Sequence, residues 1–159
     1  MKTKEDISRG HNCFDKSLVL LVAVFLVFSA ISAKAEMLSI KGDNVHLRSG
    51  PGKKYSVKWE YGAGFPVKVV ERKGDWLKVK DFEGDIGWVH KSLLTSHPHM
   101  IVKANKINIR KGPGSENKIV GMAYYGVVFE TLQHQSGWVE VQHDSGLTGW
   151  ISSTFLWGF

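Results

Sequence analysis

From Val45 onward, apolar and polar side chains alternate with period two in short runs, and each run stops at a glycine-bearing turn. The runs are Val45 to Arg48, Val57 to Tyr61, Phe65 to Glu71, Trp76 to Lys80 and Gly87 to His90. Between them lie Ser49-Gly50-Pro51-Gly52, Gly62-Ala63-Gly64, Lys73-Gly74-Asp75 and Glu83-Gly84-Asp85. No stretch here has the length or the 3.6-residue period of a helix, so the pattern predicts an all-β fold of short antiparallel strands. About five such strands closing on themselves make a small barrel, which removes the open edges that would otherwise pair with other chains.

The same pattern then occurs a second time. Asn44 to Leu94 aligns with Lys106 to Leu156 at an offset of 62 without a gap, and 11 of the 51 positions are identical. These are Arg48/Arg110, Gly50/Gly112, Pro51/Pro113, Gly52/Gly114, Gly64/Gly126, Trp76/Trp138, Val79/Val141, Gly84/Gly146, Gly87/Gly149, Trp88/Trp150 and Leu94/Leu156. Turn residues and a few aromatic or aliphatic anchors are what repeats, which is the signature of a duplicated module. The expected organisation is a leader over 1–35, a first domain over 36–97 and a second over 98–159. Each unit lies near the lower size limit for independent folding, so docking of the two would help both. Thr95 to His99 spans at most ~18 Å, which keeps the units close neighbours.

Alternation also assigns sides. In Trp76-Leu77-Lys78-Val79-Lys80 the aliphatic pair Leu77 and Val79 faces one way and Trp76, Lys78 and Lys80 the other. Val139 and Val141 oppose Trp138 in the second copy, and Val89 and Ile151 oppose Trp88 and Trp150. With the aliphatic set filling the barrel, all four tryptophans fall on the polar-flanked face. Two roles are open to them: covering a thin barrel or its sister unit, and lining a groove that stacks on a ligand. The groove reading makes Trp76, Trp88, Lys78, Lys80 and His90 the candidate binding residues of the first unit, with Trp138 and Trp150 in the second. The Gly-Pro-Gly turns have a structural reading: Gly50 and Gly52, like Gly112 and Gly114, permit positive φ, while Pro51 and Pro113 fix their own φ. Arg48 and Arg110 stand just before those turns, with planar forks suited to loop carbonyls.

The first 35 residues read as an export signal. Lys2, Lys4, Arg9 and Lys16 precede an uncharged apolar run from Leu18 to Ile31, and Ala33-Lys34-Ala35 fits a small-x-small cleavage site, which predicts cleavage after Ala35. The run of 14 residues is shorter than the ~20 that a spanning helix needs. The alternative is a retained anchor, which would make the chain a membrane-held scaffold docking a protein partner. Cys13, the single cysteine, lies in the leader, so the mature chain has no disulfide, thiolate metal site or cysteine nucleophile. The mature part carries sixteen basic and twelve acidic side chains, a mild balance compatible with an anionic partner. Nucleic acid is a poor partner for an exported chain. His97-Pro98-His99 provides two imidazoles without a third ligand at metal-site spacing, so neither metal nor cofactor is expected.

The repeated string [H/N]-[L/I]-R-[S/K]-G-P-G, followed by G-x-W-x-x-V and G-x-x-G-W-[V/I], resembles bacterial SH3 domains. The resemblance covers Asn44 to Leu94 and Lys106 to Leu156. It implies tandem SH3-like β-barrels, export to periplasm or extracellular space, and binding of a cell-wall peptide or cell-envelope protein without catalysis. His46 departs from the asparagine common in the family, which Asn108 keeps. Tyr55, Trp59 and Tyr61 face Asn117, Gly121 and Ala123 in the other copy, so the two surfaces have diverged. With no cysteine, no metal-ligand cluster and no residues beyond the two repeats, the mature chain is expected to be a binding protein rather than an enzyme.

Overall fold

The computed structural model describes residues 36–159, so the leader, its cleavage site and Cys13 lie outside the described residues. What is described is all-β. The first repeat contributes β1 (Met37–Ile40), β2 (Val45–Arg48), β3 (Val57–Tyr61), β4 (Pro66–Lys73), β5 (Trp76–Lys80), β6 (Ile86–His90) and β7 (Leu94–Thr95). The second contributes β8 (His99–Val102), β9 (Lys106–Arg110), β10 (Ile119–Tyr124), β11 (Val128–Gln135), β12 (Trp138–Gln142), β13 (Thr148–Ser152) and β14 (Leu156–Gly158). A single 3-10 turn follows β6 and another follows β13.

Each repeat forms its own antiparallel sheet, ordered β3-β2-β6-β5-β4-β1-β7 and β10-β9-β13-β12-β11-β8-β14. The expected count of about five strands per barrel is therefore corrected to seven. Met37–Ile40 inserts between β4 and β7, pairing Leu38 with Val67 and Ile40 with Leu94. His99–Val102 does the same in the second barrel, and the apolar chain end becomes a strand, Leu156 pairing with Val102 and Trp157 with Ile101. β7 and β14, of two and three residues, are too short for periodicity to mark, Met37-Leu38-Ser39-Ile40 and His99-Met100-Ile101-Val102 do not alternate, and the ladders of all four are completed by partners distant in sequence.

The aliphatic positions fill the barrels as alternation predicts. Leu77, Val79 and Val89 join Ile40, Val45, Leu47 and Val67 in the first core, while Val139, Val141 and Ile151 join Ile107, Ile109 and Phe129 in the second. Register shifts at Val69/Glu71 and Thr131/Gln133 put a bulge in the long fourth strand of each copy, where the ribbon bends to close.

Closure itself depends on a missing side chain. β2 meets β6 at the single register pair Arg48/Trp88, and β9 meets β13 at Arg110/Trp150. A Cβ on Gly87 would lie 2.7 Å from the Arg48 carbonyl oxygen and 2.5 Å from Leu47 Cγ; on Gly149 it would lie 2.8 Å from the Arg110 oxygen. Only glycine lets the two backbones come this close.

The first barrel is stoppered at one end by Tyr61. Its hydroxyl donates to Asp81 Oδ2 at 2.7 Å, and Asp81 Oδ1 accepts the backbone N–H groups of Glu83, Gly84 and Asp85 at 3.1, 2.9 and 2.8 Å. One buried carboxylate thus caps a turn and anchors a buried ring. Burial, reinforced by the Asp81 carboxylate, pushes the Tyr61 phenol well above its usual range.

Short contacts join the barrels. Ser39 Oγ donates to the His97 carbonyl at 2.9 Å, which leaves His99 Nδ1 to donate to Ser39 Oγ at 3.2 Å. Tyr125 donates to Glu83 Oε1 at 2.6 Å, and that hydrogen bond holds its phenol above the ordinary value.

Replacing Gly87 with Ala is expected to destabilise the protein by about 3 kcal/mol, because the clash is with backbone and cannot relax by a rotamer change. Gly42→Ala, with nothing within 4 Å of the added carbon, serves as the control and should stay within about 0.5 kcal/mol in urea denaturation. A second expectation concerns alkali. Tyr61 ionises at higher pH folded than unfolded, so its contribution is fully present below about pH 10 and is lost as pH rises beyond that. Phenylalanine at 61 should remove this fall in stability, as read from urea midpoints between about pH 9 and pH 11.

Candidate functional site

The first barrel bears a half-open cleft of about 430 Å³, lined mostly by residues outside its aliphatic core together with Val45 of that core. Trp76 opens β5 and His90 closes β6, and the two are direct register partners. Their rings meet edge to face, 5.3 Å apart at 84°. Behind them Lys91 binds Asp75 at 2.8 Å, while the Lys91 backbone N–H donates to the Asp75 carbonyl at 2.8 Å, tying the start of β5 to the end of β6. The Lys91 ammonium holds the Asp75 carboxyl below the usual carboxylate range. His90 Nδ1 faces Ser92 Oγ at 2.8 Å and caps the 3-10 turn through the Ser92 N–H at 3.4 Å. The indole is therefore backed by an imidazole fixed at its own Nδ1.

The opposite wall comes from β2 and the loop after it. Arg48 Nη1 donates to the carbonyls of Lys53 and Tyr55 at 3.2 and 2.9 Å, and Nη2 reaches His46 Nδ1 at 3.3 Å. His46 Nε2 meets Glu60 Oε2 at 3.1 Å. Arg110 repeats the loop contact in the second barrel, donating to the Asn117 carbonyl at 2.7 Å. Asp43, Asn44 and Lys53 complete the rim. The result is an aromatic floor with a mostly basic rim, a surface able to take an extended peptide with carboxylates.

The Gly-Pro-Gly turn is built differently from expectation. Gly52 and Gly114 have φ of 158° and 156°, but Gly50 and Gly112 are not at positive φ. What Gly50 supplies is room, since a Cβ there would lie 2.4 Å from the Tyr55 ring.

Of the candidate binding residues, Trp76 and His90 line the cleft and the others do not. Trp88 and Trp150 lie outside the aliphatic cores, yet they are only 7% and 6% exposed, which corrects their assignment as stacking surfaces. Trp88 sits between Arg48 on β2 and Lys78 on β5, with the Lys78 ammonium 5.8 Å from its ring. Long neighbours on the curled sheet cover an indole that alternation alone would leave bare. Lys78 is engaged with Trp88 and with Glu71 at 3.1 Å, and Lys80 stands beyond the cleft. Trp138 is half-buried opposite Ser152, where the first barrel has His90.

Sequence reasoning missed His46, Asp43, Asn44, Lys53 and Ser92. His46 had one available signal, its place two residues before Arg48 on the same strand face. Asp43, Asn44 and Lys53 arrive from loops, and Ser92 from the 3-10 turn after β6. His97 pairs with Glu130 at 3.0 Å, and among the described residues no three His, Cys, Asp or Glu side chains group as metal ligands.

Bacterial SH3 domain patterns match residues 41–95 and residues 105–156. The chain belongs to the bacterial SH3 domain family. Among curated proteins, the chain is 26% identical over 150 residues to the putative N-acetylmuramoyl-L-alanine amidase YrvJ of Bacillus subtilis (strain 168). That match takes in 87% of this chain but 29% of the relative, so the chain spans under a third of its length. Among solved structures, an NlpC/P60 family protein from Bacillus cereus ATCC 10987 aligns with 78% of this chain and 56% of its own, at 16% identity and a TM-score of 0.37. NlpC1 from Trichomonas vaginalis aligns with 80% of this chain and 47% of its own, at 12% identity and a TM-score of 0.33. The expectation that the chain is not an enzyme is corrected here, because its curated relative bears the name of an amidase.

Arg48→Lys is expected to loosen the loop that walls the cleft, since an ammonium lacks the fork that holds two carbonyls and an imidazole together. The cost should be about 1 kcal/mol in denaturant unfolding, with faster amide exchange confined to residues 49–56.

Proposed function

We propose that this chain is an exported cell-envelope protein that works in amidase-type processing of the cell wall, with the first barrel recognising the peptide part of the wall. The observation that carries this reading is the Trp76–His90 pair set beneath a mostly basic rim. An aromatic floor stacks on peptide planes and apolar side chains, and Arg48 and Lys53 set positive charge beside it that suits carboxylates. The name of the curated relative sets an L-alanine beside an N-acetylmuramoyl group, so a cleft for peptides suits machinery of that kind. Residues 1–35 serve as leader, 36–97 as the ligand-binding barrel and 98–159 as its partner barrel. The second barrel has Ser152 and Asn108 in place of His90 and His46, and contributes a surface of different chemistry.

The test is co-sedimentation of the protein with purified cell-wall sacculi across a salt series, with soluble peptide release followed in the same tubes. Binding is expected to survive moderate salt and to weaken roughly tenfold in Trp76→Ala, the loss of about 1.4 kcal/mol of aromatic contact. Circular dichroism should show Trp76→Ala folded, because this indole lies outside the aliphatic core. Equal binding by the folded variant, or loss of binding by both proteins at moderate salt, would overturn the assignment of the cleft.

A further inference from the structure

The second barrel departs from the first at one end, where three aromatic side chains are missing. In the first barrel Tyr61 stacks on Phe65 at 4.4 Å and 21°, and Phe82 follows at 5.9 Å from Phe65. The positions equivalent by the 62-residue offset are Ala123, Val127 and Asp144. Phe129 in place of Val67 and Leu147 in place of Asp85 refill only part of the space. A cavity of about 240 Å³ opens there, bounded by Ile109, Ala123, Val127, Phe129 and Leu147, with His143 among its walls. His143 occupies the position of Asp81, the group that holds the Tyr61 hydroxyl in the first barrel.

Size and chemistry together select an occupant. A dry cavity of ~150 Å³ lined by aliphatic and aromatic side chains admits benzene, so this one has room for a single ring. Ala123 and Phe129 form a buried apolar floor. His143 packs edge-on against Phe129 at 5.5 Å, and its Nδ1 accepts the Ser145 N–H at 3.1 Å. That bond puts the proton of the neutral imidazole on Nε2, which has no protein acceptor among the described residues. Where the first barrel presents a carboxylate to a hydroxyl, the second presents a donor to an oxygen. β10 forms an edge of its sheet beside the cavity, and its Met122 and Tyr124 are 51% and 53% exposed. An extended segment can add to such an edge and direct a side chain inward.

We propose that the second barrel binds a partner polypeptide by accepting one tyrosine side chain into this cavity, in the place that Tyr61 fills in the first barrel. The bound ring restores the missing aromatic packing, and the phenol oxygen accepts from His143.

The experiment titrates the full-length protein with N-acetyl-tyrosinamide, N-acetyl-phenylalaninamide and N-acetyl-alaninamide while following NMR signals of Ala123, Phe129 and His143. The tyrosine probe should give saturable shifts, the phenylalanine probe the same shifts at about threefold weaker affinity, and the alanine probe none. Ala123→Tyr should fill the cavity from within and abolish the response. Ala123→Leu tests the same point with a smaller group if the first variant does not fold. Absence of saturable shifts up to about 20 mM tyrosine probe, or an unchanged response in a folded filled variant, would overturn the proposal. Concentration-dependent dimers that the tyrosine probe dissolves would make a second copy the occupant and equally overturn the separate partner.

Discussion

The approach of two backbones at Gly87, and again at Gly149, is the constraint on which both barrels rest. The first hairpin of each repeat joins the remaining strands through one register pair, and a methyl group on that glycine would strike a carbonyl oxygen. This contact brings Arg48 beside Trp88, seals the indole under long side chains, and sets the loop held by Arg48 across from Trp76 and His90. The cleft is a consequence of closure. Each barrel is small, so little apolar surface is available to compensate for a strand held away from its place.

Duplication kept the parts that closure requires and released the rest. Arg48 and Arg110 both pin their loops through backbone carbonyls, contacts that do not depend on which side chains the loop carries. The loops are then free to differ, and Asn117 stands where the first barrel has Tyr55 without loss of the pin. The ends diverged more. The carboxylate of Asp81 caps one turn through three backbone N–H groups, whereas His143 caps the corresponding turn through its ring nitrogen. A polar group is needed at that position in both copies because the turn donors are otherwise unmet. Its charge is free to change, and with it the chemistry offered at that end.

The contacts between barrels use residues of ordinary surface type placed by a short joint. Ser39, His97 and His99 share hydrogen bonds across the linker, and Tyr125 reaches Glu83. His97 and His99 invite a metal reading in isolation, yet each is engaged with a neighbouring Glu or Ser. Pro98 between them carries no N–H to satisfy, and its carbonyl accepts the Thr131 N–H.

Period-two alternation, the glycine punctuation and the 62-residue offset were enough to determine an all-β chain of two like barrels. They also determined which aliphatic residues fill each barrel, because side-chain direction in a strand depends on position alone. Strands β1, β7, β8 and β14 lay beyond that reach, since β7 and β14 are only two and three residues long, β1 and β8 do not alternate, and the partners of all four are remote. Of the site, Trp76 and His90 were readable as an aromatic and a polar group on the outer face. Lys53 and Ser92 were not, for they join the indole in lining the cleft only once the sheet is folded and the loop held by Arg48 is set, and His46 offered only its place on the strand face of Arg48. The burial of Trp88 and the cavity beside Ala123 were likewise decided by tertiary structure. Exposure and empty volume belong to the arrangement of several segments at once, and no local pattern encodes them.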